Sequence, residues 1–452
     1  MSPALDITKL SLSSKPTTTP SDQAGPLALA LGQAIALRQK RSIPTTDLLD
    51  ETPLSAPDLF SNDYLSLTRD PTLRLAALEK LSKADLVMGS GGSRLMNGNT
   101  SAHVAFESRM KDFFGAPAAL LCNSGYDANV AFWRSIPQLG DAIIFDELVH
   151  ASTRDGMAEC RAKNALYPFK HNSVDSFRAC LLRVLAEHSE IYAGRATVFV
   201  AVESLYSMDG DFAPVREIVQ VTDALVPPKC SHILVDEAHS TGIYGPQGRG
   251  LVAMLGLTGR IDTVLHTFSK ARAASGAVLL TSAIVRQYII NYARAFIFTA
   301  SMPGASVCIL DASFDHIGSR AGDQACIIAS ARERLRRISE HFHDLLDEAF
   351  EDVPRNLLSL RPRCTPPDFP GDVVSPIFPI LTEHPLSLAA HLCQFGYACR
   401  PVPYPAVPRG EERIRVAVHA ANDPEELREL VDHMLEWAAN MQARNVQLRR
   451  YL

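Results

Sequence analysis

An α/β fold is predicted, with a mainly parallel central sheet and a smaller C-terminal α+β lobe. Short apolar runs bounded by turn residues alternate with stretches of helical period: Ala118–Cys122, Asp141–Asp146, Arg195–Glu203, Ile233–Val235, Thr263–Leu265 and Ala277–Ser282. Polar and ionisable side chains cluster just beyond the carboxyl ends of these runs, where open α/β sheets bind ligands. From Asp372 onward a shorter alternation begins again: strand Val374–Ile380, helix Leu386–Phe395, strand Arg413–Val418, helix Pro424–Arg444. The expected division is a disordered tail over 1–25, an N-terminal helix and arm over 26–75, a large domain over 76–315 and a smaller domain over 316–452.

Composition narrows the class. With 452 residues, 46% of them hydrophobic and 21% charged, the chain can bury a large core. A formal net charge of -6 argues against a nucleic-acid binder. Nine cysteines show no ligand spacing, so no metal site is expected; reduced thiols fit a cytoplasmic protein. Ala273–Ile290, the most apolar candidate for a membrane span, is interrupted by Arg286 and Gln287, and no span is expected. The Ser/Thr/Pro-rich first 25 residues carry two Lys and no Arg, a weak basis for a mitochondrial presequence.

In chain order, Leu27–Lys40 reads as a helix opened by Pro26 and closed by the basic cluster Arg38–Arg41. Met88–Thr100 is dense in Gly and lies against the packed-helix pattern Ser101–Phe114, so an ordered loop lining a site is expected rather than a linker. Strand Ala118–Cys122, the turn Asn123-Ser-Gly-Tyr and a following helix make a phosphate site, because free amides and the helix dipole meet there. His150 follows the next strand. Glu203 leads into Ser204-Leu-Tyr-Ser-Met-Asp-Gly, which puts hydroxyls at a strand end. A long helical stretch, 305–351, is expected with a break near Gly318–Gly322. On the last strand Arg413 and Arg415 share one face; they read equally as a carboxylate clamp or a surface pair.

Two stretches carry the chemistry. His232-Ile-Leu-Val-Asp-Glu-Ala-His-Ser-Thr-Gly242 ends a strand in Asp236 with His239 three residues on. Val264-Leu-His-Thr-Phe-Ser-Lys270 ends another in a single lysine. A lysine amine for a Schiff base and a carboxylate for a pyridinium nitrogen are the needs of a pyridoxal 5'-phosphate (PLP) enzyme.

The chain resembles the α-oxoamine synthases, fold-type I PLP-dependent transferases, and among them the 8-amino-7-oxononanoate synthases. The resemblance rests on Ser61-Asn-Asp-Tyr-Leu, Gly89-Ser-Gly-Gly-Ser, Ser124-Gly-Tyr-Asp-Ala-Asn, Glu203-Ser-Leu-Tyr-Ser-Met-Asp-Gly-Asp, Asp236-Glu-Ala-His-Ser-Thr-Gly, Thr267-Phe-Ser-Lys, Thr299-Ala-Ser-Met-Pro and Val407-Pro-Arg-Gly-Glu-Glu-Arg-Ile-Arg. It implies that Lys270 holds PLP and that Asp236 pairs with its ring nitrogen. His150 would stack on the ring, and His239 and Ser207 would meet its phenolic oxygen. The amides of Gly125 and Tyr126 and the Thr267 hydroxyl would hold the phosphate, with Thr299 reaching the partner's phosphate in a homodimer. Arg38, Asn62 and Arg415 would face substrate, Arg415 taking the amino-acid carboxylate. The implied reaction is a decarboxylative condensation of a small amino acid, L-alanine first, with an acyl-CoA or carrier-bound acyl thioester. Glycine or serine as donor, an aminotransferase or lyase, and an inert partner subunit are the rival readings.

The sequence also departs from the family's pattern. The segment after Lys270 is poor in Gly, and Arg272 is expected to crowd the cofactor entrance. His266 replaces a commonly small residue, Ala406 replaces a Thr, and Pro403 stands where a polar residue is common.

Overall fold

The computed structural model describes residues 26–40, 57–315, 327–362, 365–366, 369, 373–404 and 407–451. The tail 1–25, the break near 318–322 and Ala406 lie outside the described residues, as does the Arg38 side chain.

Seven strands form the central sheet: β1 (Ala118–Cys122), β2 (Ala142–Asp146), β3 (Leu166–Phe169), β4 (Val198–Glu203), β5 (Ser231–Asp236), β6 (Thr263–Thr267) and β7 (Ala277–Thr281). Their order is β1-β7-β6-β5-β4-β2-β3. The pairs from β3 through β6 are parallel, whereas β7 runs antiparallel to both β6 and β1. β1 therefore points the same way as the parallel strands. The carboxyl ends of β1, β2, β4, β5 and β6 all open on one edge of the sheet.

Both faces of this sheet are covered, which is why its strands are apolar at successive positions. Leu120, Ile143, Phe199, Leu234, Leu265 and Leu279 enter one buried cluster. Ala119, Ile144, Val200, Ile233, Val264 and Val278 enter the other. Helix α1 (Pro26–Lys40) stands exposed, and the helices after it include α2 (Pro71–Lys83), α3 (Ser101–Phe114), α4 (Gly125–Ser135), α5 (Ala151–Ala158) and α6 (Val174–Glu187). Their starts follow capping chemistry. Asp70, Thr100, Ser124 and Ser173 each accept a hydrogen bond from a first-turn amide.

A second, antiparallel sheet comprises β8 (Ile377–Leu381), β9 (Arg400–Val402) and β10 (Arg413–Ala417), in the order β8-β10-β9. The helices Pro385–Gln394 and Pro424–Tyr451 pack together beside it. The sheet meets the large core: the Ala417 amide bonds the Leu59 carbonyl and the Ala420 amide bonds that of Tyr64.

Several element boundaries shift. β4 begins at Val198, because the Arg195 amide closes the helical turn Ser189–Tyr192 by bonding the Glu190 carbonyl at 2.9 Å. β8 begins after Pro376, and its neighbour β9 was not expected from sequence. The helical stretch over 305–351 is two described helices, Gly304–Asp315 and Ile327–Phe350. Arg272 is corrected outright. It has no exposed surface, and its guanidinium lies 4.6 Å from the Phe314 ring centre, so it cannot line an open cofactor entrance. His266 is likewise interior: it stacks on Phe114 at 4.1 Å and bonds Thr241 Oγ1 at 2.9 Å.

Candidate active site

Lys270 sits in the short loop joining β6 to β7. The loop is tied shut, Phe268 N donating to Gly276 O and Ala274 N to Phe268 O, both at 2.9 Å. This antiparallel return holds the lysine at the sheet edge with little backbone freedom. Burial lowers the Lys270 pKa, and Arg415 adds to this; Asp236 and Glu203 pull the other way. A partly buried amine shifted in that direction is more available as base and nucleophile.

Asp236, at the end of β5, is buried and held from two sides. Oδ1 accepts the Ala238 amide and Oδ2 accepts the Asn129 amide group, both at 2.9 Å. Asn129 Nδ2 also reaches Ser152 Oγ at 3.0 Å. Glu203 stands in register with Asp236 on the neighbouring strand. Burial, then the Asp236 charge, raise its pKa well above the carboxylate range, while its Oε1 accepts the His150 amide at 2.6 Å. Of the two adjacent carboxyls Glu203 is thus the one driven towards its neutral form.

The turn between β1 and α4 is built by close approach. A Cβ on Gly125 would stand 2.4 Å from Thr267 Cγ2, so any side chain here would push Thr267 aside. Ser124 caps α4 through the Asp127 amide at 3.0 Å, and the first amides of that helix face outward. The Tyr126 side chain turns away to bond Asp155, so Tyr126 contributes its amide rather than its phenol to the turn. His150 caps α5, with Nδ1 2.7 Å from Ser152 Oγ; its ring is exposed to the open edge.

Asn62, Tyr64, His239 and Arg415 form one network. Tyr64 OH lies 2.7 Å from His239 Nδ1 and donates to Asn62 Oδ1 at 3.1 Å. Arg415 donates to Asn62 Oδ1 at 2.9 Å and to the Ser207 carbonyl at 2.6 Å. Burial, with Lys270, Arg415 and His150 nearby, holds His239 neutral. Burial raises the Tyr64 pKa to about 12. Arg413 and Arg415 are both buried, so a surface pair is excluded. Arg413 is satisfied by Asp209 at 2.5 Å, whereas Arg415 has no carboxylate partner among the described residues.

The structure thus gathers Lys270, Asp236, His239, His150, Gly125, Thr267, Ser207, Asn62 and Arg415 at one sheet edge. Thr299 is exposed and lies beside the Asn123–Gly125 turn, in a cavity of about 840 Å³ lined by Asn123 and the Gly89–Ser93 loop. That loop is ordered, as expected: Ser301 N donates to Gly92 O at 2.9 Å and Ser301 Oγ to Gly98 O at 2.8 Å. A Cβ on Gly98 would meet Gly92 O at 2.0 Å. Sequence reasoning missed Asn129, Glu203 and Tyr64 as site residues. Each lies within a quoted block, but each acts through a partner distant in sequence.

These residues fit PLP. A small-residue cradle at a helix start suits its phosphate, a fixed carboxylate its ring nitrogen, and a low-pKa lysine its aldehyde.

Comparison with known proteins agrees. Residues 57–434 match the family model of aminotransferase class I and II. An 8-amino-7-oxononanoate synthase of Emericella nidulans is 38% identical over 415 residues, covering 91% of this chain and 97% of that protein. The aminoacyl transferase sphA of Byssochlamys spectabilis is 37% identical over 396 residues, covering 86% and 82%. Among solved structures, a serine palmitoyltransferase from S. paucimobilis with a bound PLP–myriocin aldimine superposes with a TM-score of 0.75 at 26% identity, covering 93% of this chain and all of that one. The chain belongs to the aminotransferase class I and II family and, within it, to the PLP-dependent α-oxoamine synthases.

Proposed function

We propose that this α-oxoamine synthase condenses L-alanine with an acyl-CoA, releasing CO2 and free thiol, in the manner of an 8-amino-7-oxononanoate synthase. The observation that carries an amino-acid substrate is Arg415: a buried cation with no carboxylate partner among the described residues, backed by Asn62 and Ser207 beside Lys270. A buried guanidinium in that state favours an incoming carboxylate. Relatives named 8-amino-7-oxononanoate synthase support a reaction of this class.

The residues divide the work. Arg415 orients the substrate carboxylate. Lys270, freed as a neutral amine, takes the Cα proton and is positioned to return one. PLP, when bound, supplies an electron sink for charge developing at Cα. Asp236 would pair with the ring nitrogen and keep it protonated, with Asn129 fixing the carboxylate and neutral Glu203 sparing it a competing charge. His150 would cover one face of the ring. Tyr64 holds the neutral His239 so that it meets the cofactor as a hydrogen-bonding partner rather than a cation.

The same reading makes the enzyme a homodimer with Thr299 contributing to the partner's site. Supporting it, α1 presents Leu27, Leu29, Leu31, Ile35 and Leu37 half exposed or more, and Phe298 beside Thr299 is 69% exposed. No helix among the described residues is long and apolar enough to cross a membrane.

The test is a substrate matrix. Purified PLP-loaded protein is offered glycine, L-alanine and L-serine with acyl-CoAs of graded length, and CO2 and thiol are measured. L-Alanine should give both products in equal amounts. Turnover with serine alone would replace the alanine reading. Amino-group transfer without CO2 would overturn the condensation.

A further inference from the structure

The active site uses none of the histidines on the C-terminal helices, yet two of them meet. His391 lies on Pro385–Gln394; His433 and Glu436 lie one turn apart on Pro424–Tyr451, on the same face. One ring nitrogen from each histidine and one Glu436 oxygen lie within 4.8 Å of one another.

Packing fixes both rings. Phe395 stacks on His433 at 3.7 Å and 18°, and meets His391 at 5.1 Å and 60°. Nearby Tyr397 commits its hydroxyl elsewhere, to Glu429 and the Glu426 carbonyl. His391 Nε2 is sealed from solvent and has no hydrogen-bond partner among the described residues. A buried polar atom left alone is uncommon, and a metal ion is one way to satisfy it. Among the described residues Glu436 pairs with His433 alone, Nδ1 to Oε2 at 3.5 Å, and it is exposed, so its carboxylate is free to swing inward.

Two imidazoles and one carboxylate, with an open side for water, are a zinc donor set. No spacing in the sequence announces it, because its ligands are divided between two helices. We propose that His391, His433 and Glu436 form a Zn2+ site that staples these helices together, independent of the PLP reaction.

The test uses tag-free, PLP-loaded full-length protein, dialysed against chelator and then titrated with Zn2+ against a chromophoric competitor. Metal content is measured after gel filtration, and Tm is followed in parallel. The expected result is one Zn2+ per chain and a rise in Tm that chelator reverses. H391A and H433A should each weaken binding at least about ten-fold, since even outer-shell losses cost that much, and abolish the rise. E436Q, at an exposed position, tests the carboxylate without threatening the fold and should also weaken binding, with turnover unchanged. C393S checks the exposed neighbouring thiol and should bind as wild type. No stoichiometric binding, equal binding by H391A and H433A, or loss in C393S would overturn the assignment.

Discussion

Arg413 and Arg415 leave β10 on the same face yet answer to different partners. Asp209 neutralises the first; the second waits among neutral acceptors. Removing Arg415 should therefore cost a charged hydrogen bond to substrate, about 1.5–3 kcal/mol. For R415A, kcat/KM for the amino acid should fall about 10- to 150-fold while PLP remains bound. R413A should instead lower Tm, because it takes the nearer of two arginines from buried Asp209 and leaves it Arg361 alone among the described residues. Steady-state kinetics and melting curves separate the two. At Gly125 the added methyl of G125A meets Thr267, and about 1–3 kcal/mol of overpacking should appear as weaker PLP retention on dialysis. His171 gives a pH signature. Burial opposes its charge, but hydrogen bonds to Asp146 and Asp211, each 2.8 Å, raise its pKa to about 10. A folded-state pKa above the unfolded value of about 6.5 means its stabilisation is complete below that pH and is lost as pH rises towards 10. Urea melts of wild type should weaken across that window. H171N should start about 3–5 kcal/mol lower and show a flatter profile.

At the scale of elements, the strand-end lysine and aspartate were legible because apolar runs stop abruptly at them. β3 and β9 were not legible: each is short and carries a proline, Pro168 and Pro401. Both are edge strands, where a missing amide can face away from the sheet. The reversal of β7 was also hidden, since alternation alone suggests a parallel neighbour. The burial of Arg272 escaped because its ring partner, Phe314, belongs to a distant helix. Asn129 and Tyr64 read as ordinary helix and turn residues until the fold sets them against Asp236 and His239. The caps, which the sequence reading did not single out, have a measurable role here. S124A removes the side-chain acceptor at the start of α4, and should cost about 1 kcal/mol of stability together with some PLP affinity, read by melting and dialysis.

For the whole molecule, buried Glu107 joins the Gly-rich loop to the sheet. It takes Arg94 on Oε1, with the Leu121 amide, and Arg286 on Oε2. The groove beside that loop, with its exposed Phe298 and Thr299, is where a second copy is expected. Sedimentation should give twice the chain mass, and F298E should shift it towards a single chain with loss of turnover.

The two ends of the active site have very different origins along the chain. Asp236, His239, Thr267 and Lys270 all come from the stretch 236–270, whereas Arg415 meets Asn62 across 353 positions. Closing so long a loop is entropically expensive, and contacts of that separation form late. Refolding should therefore occur in two observable stages: cofactor absorbance recovers first, and the ability of an amino acid to perturb it returns only when the first and last parts of the chain have found each other.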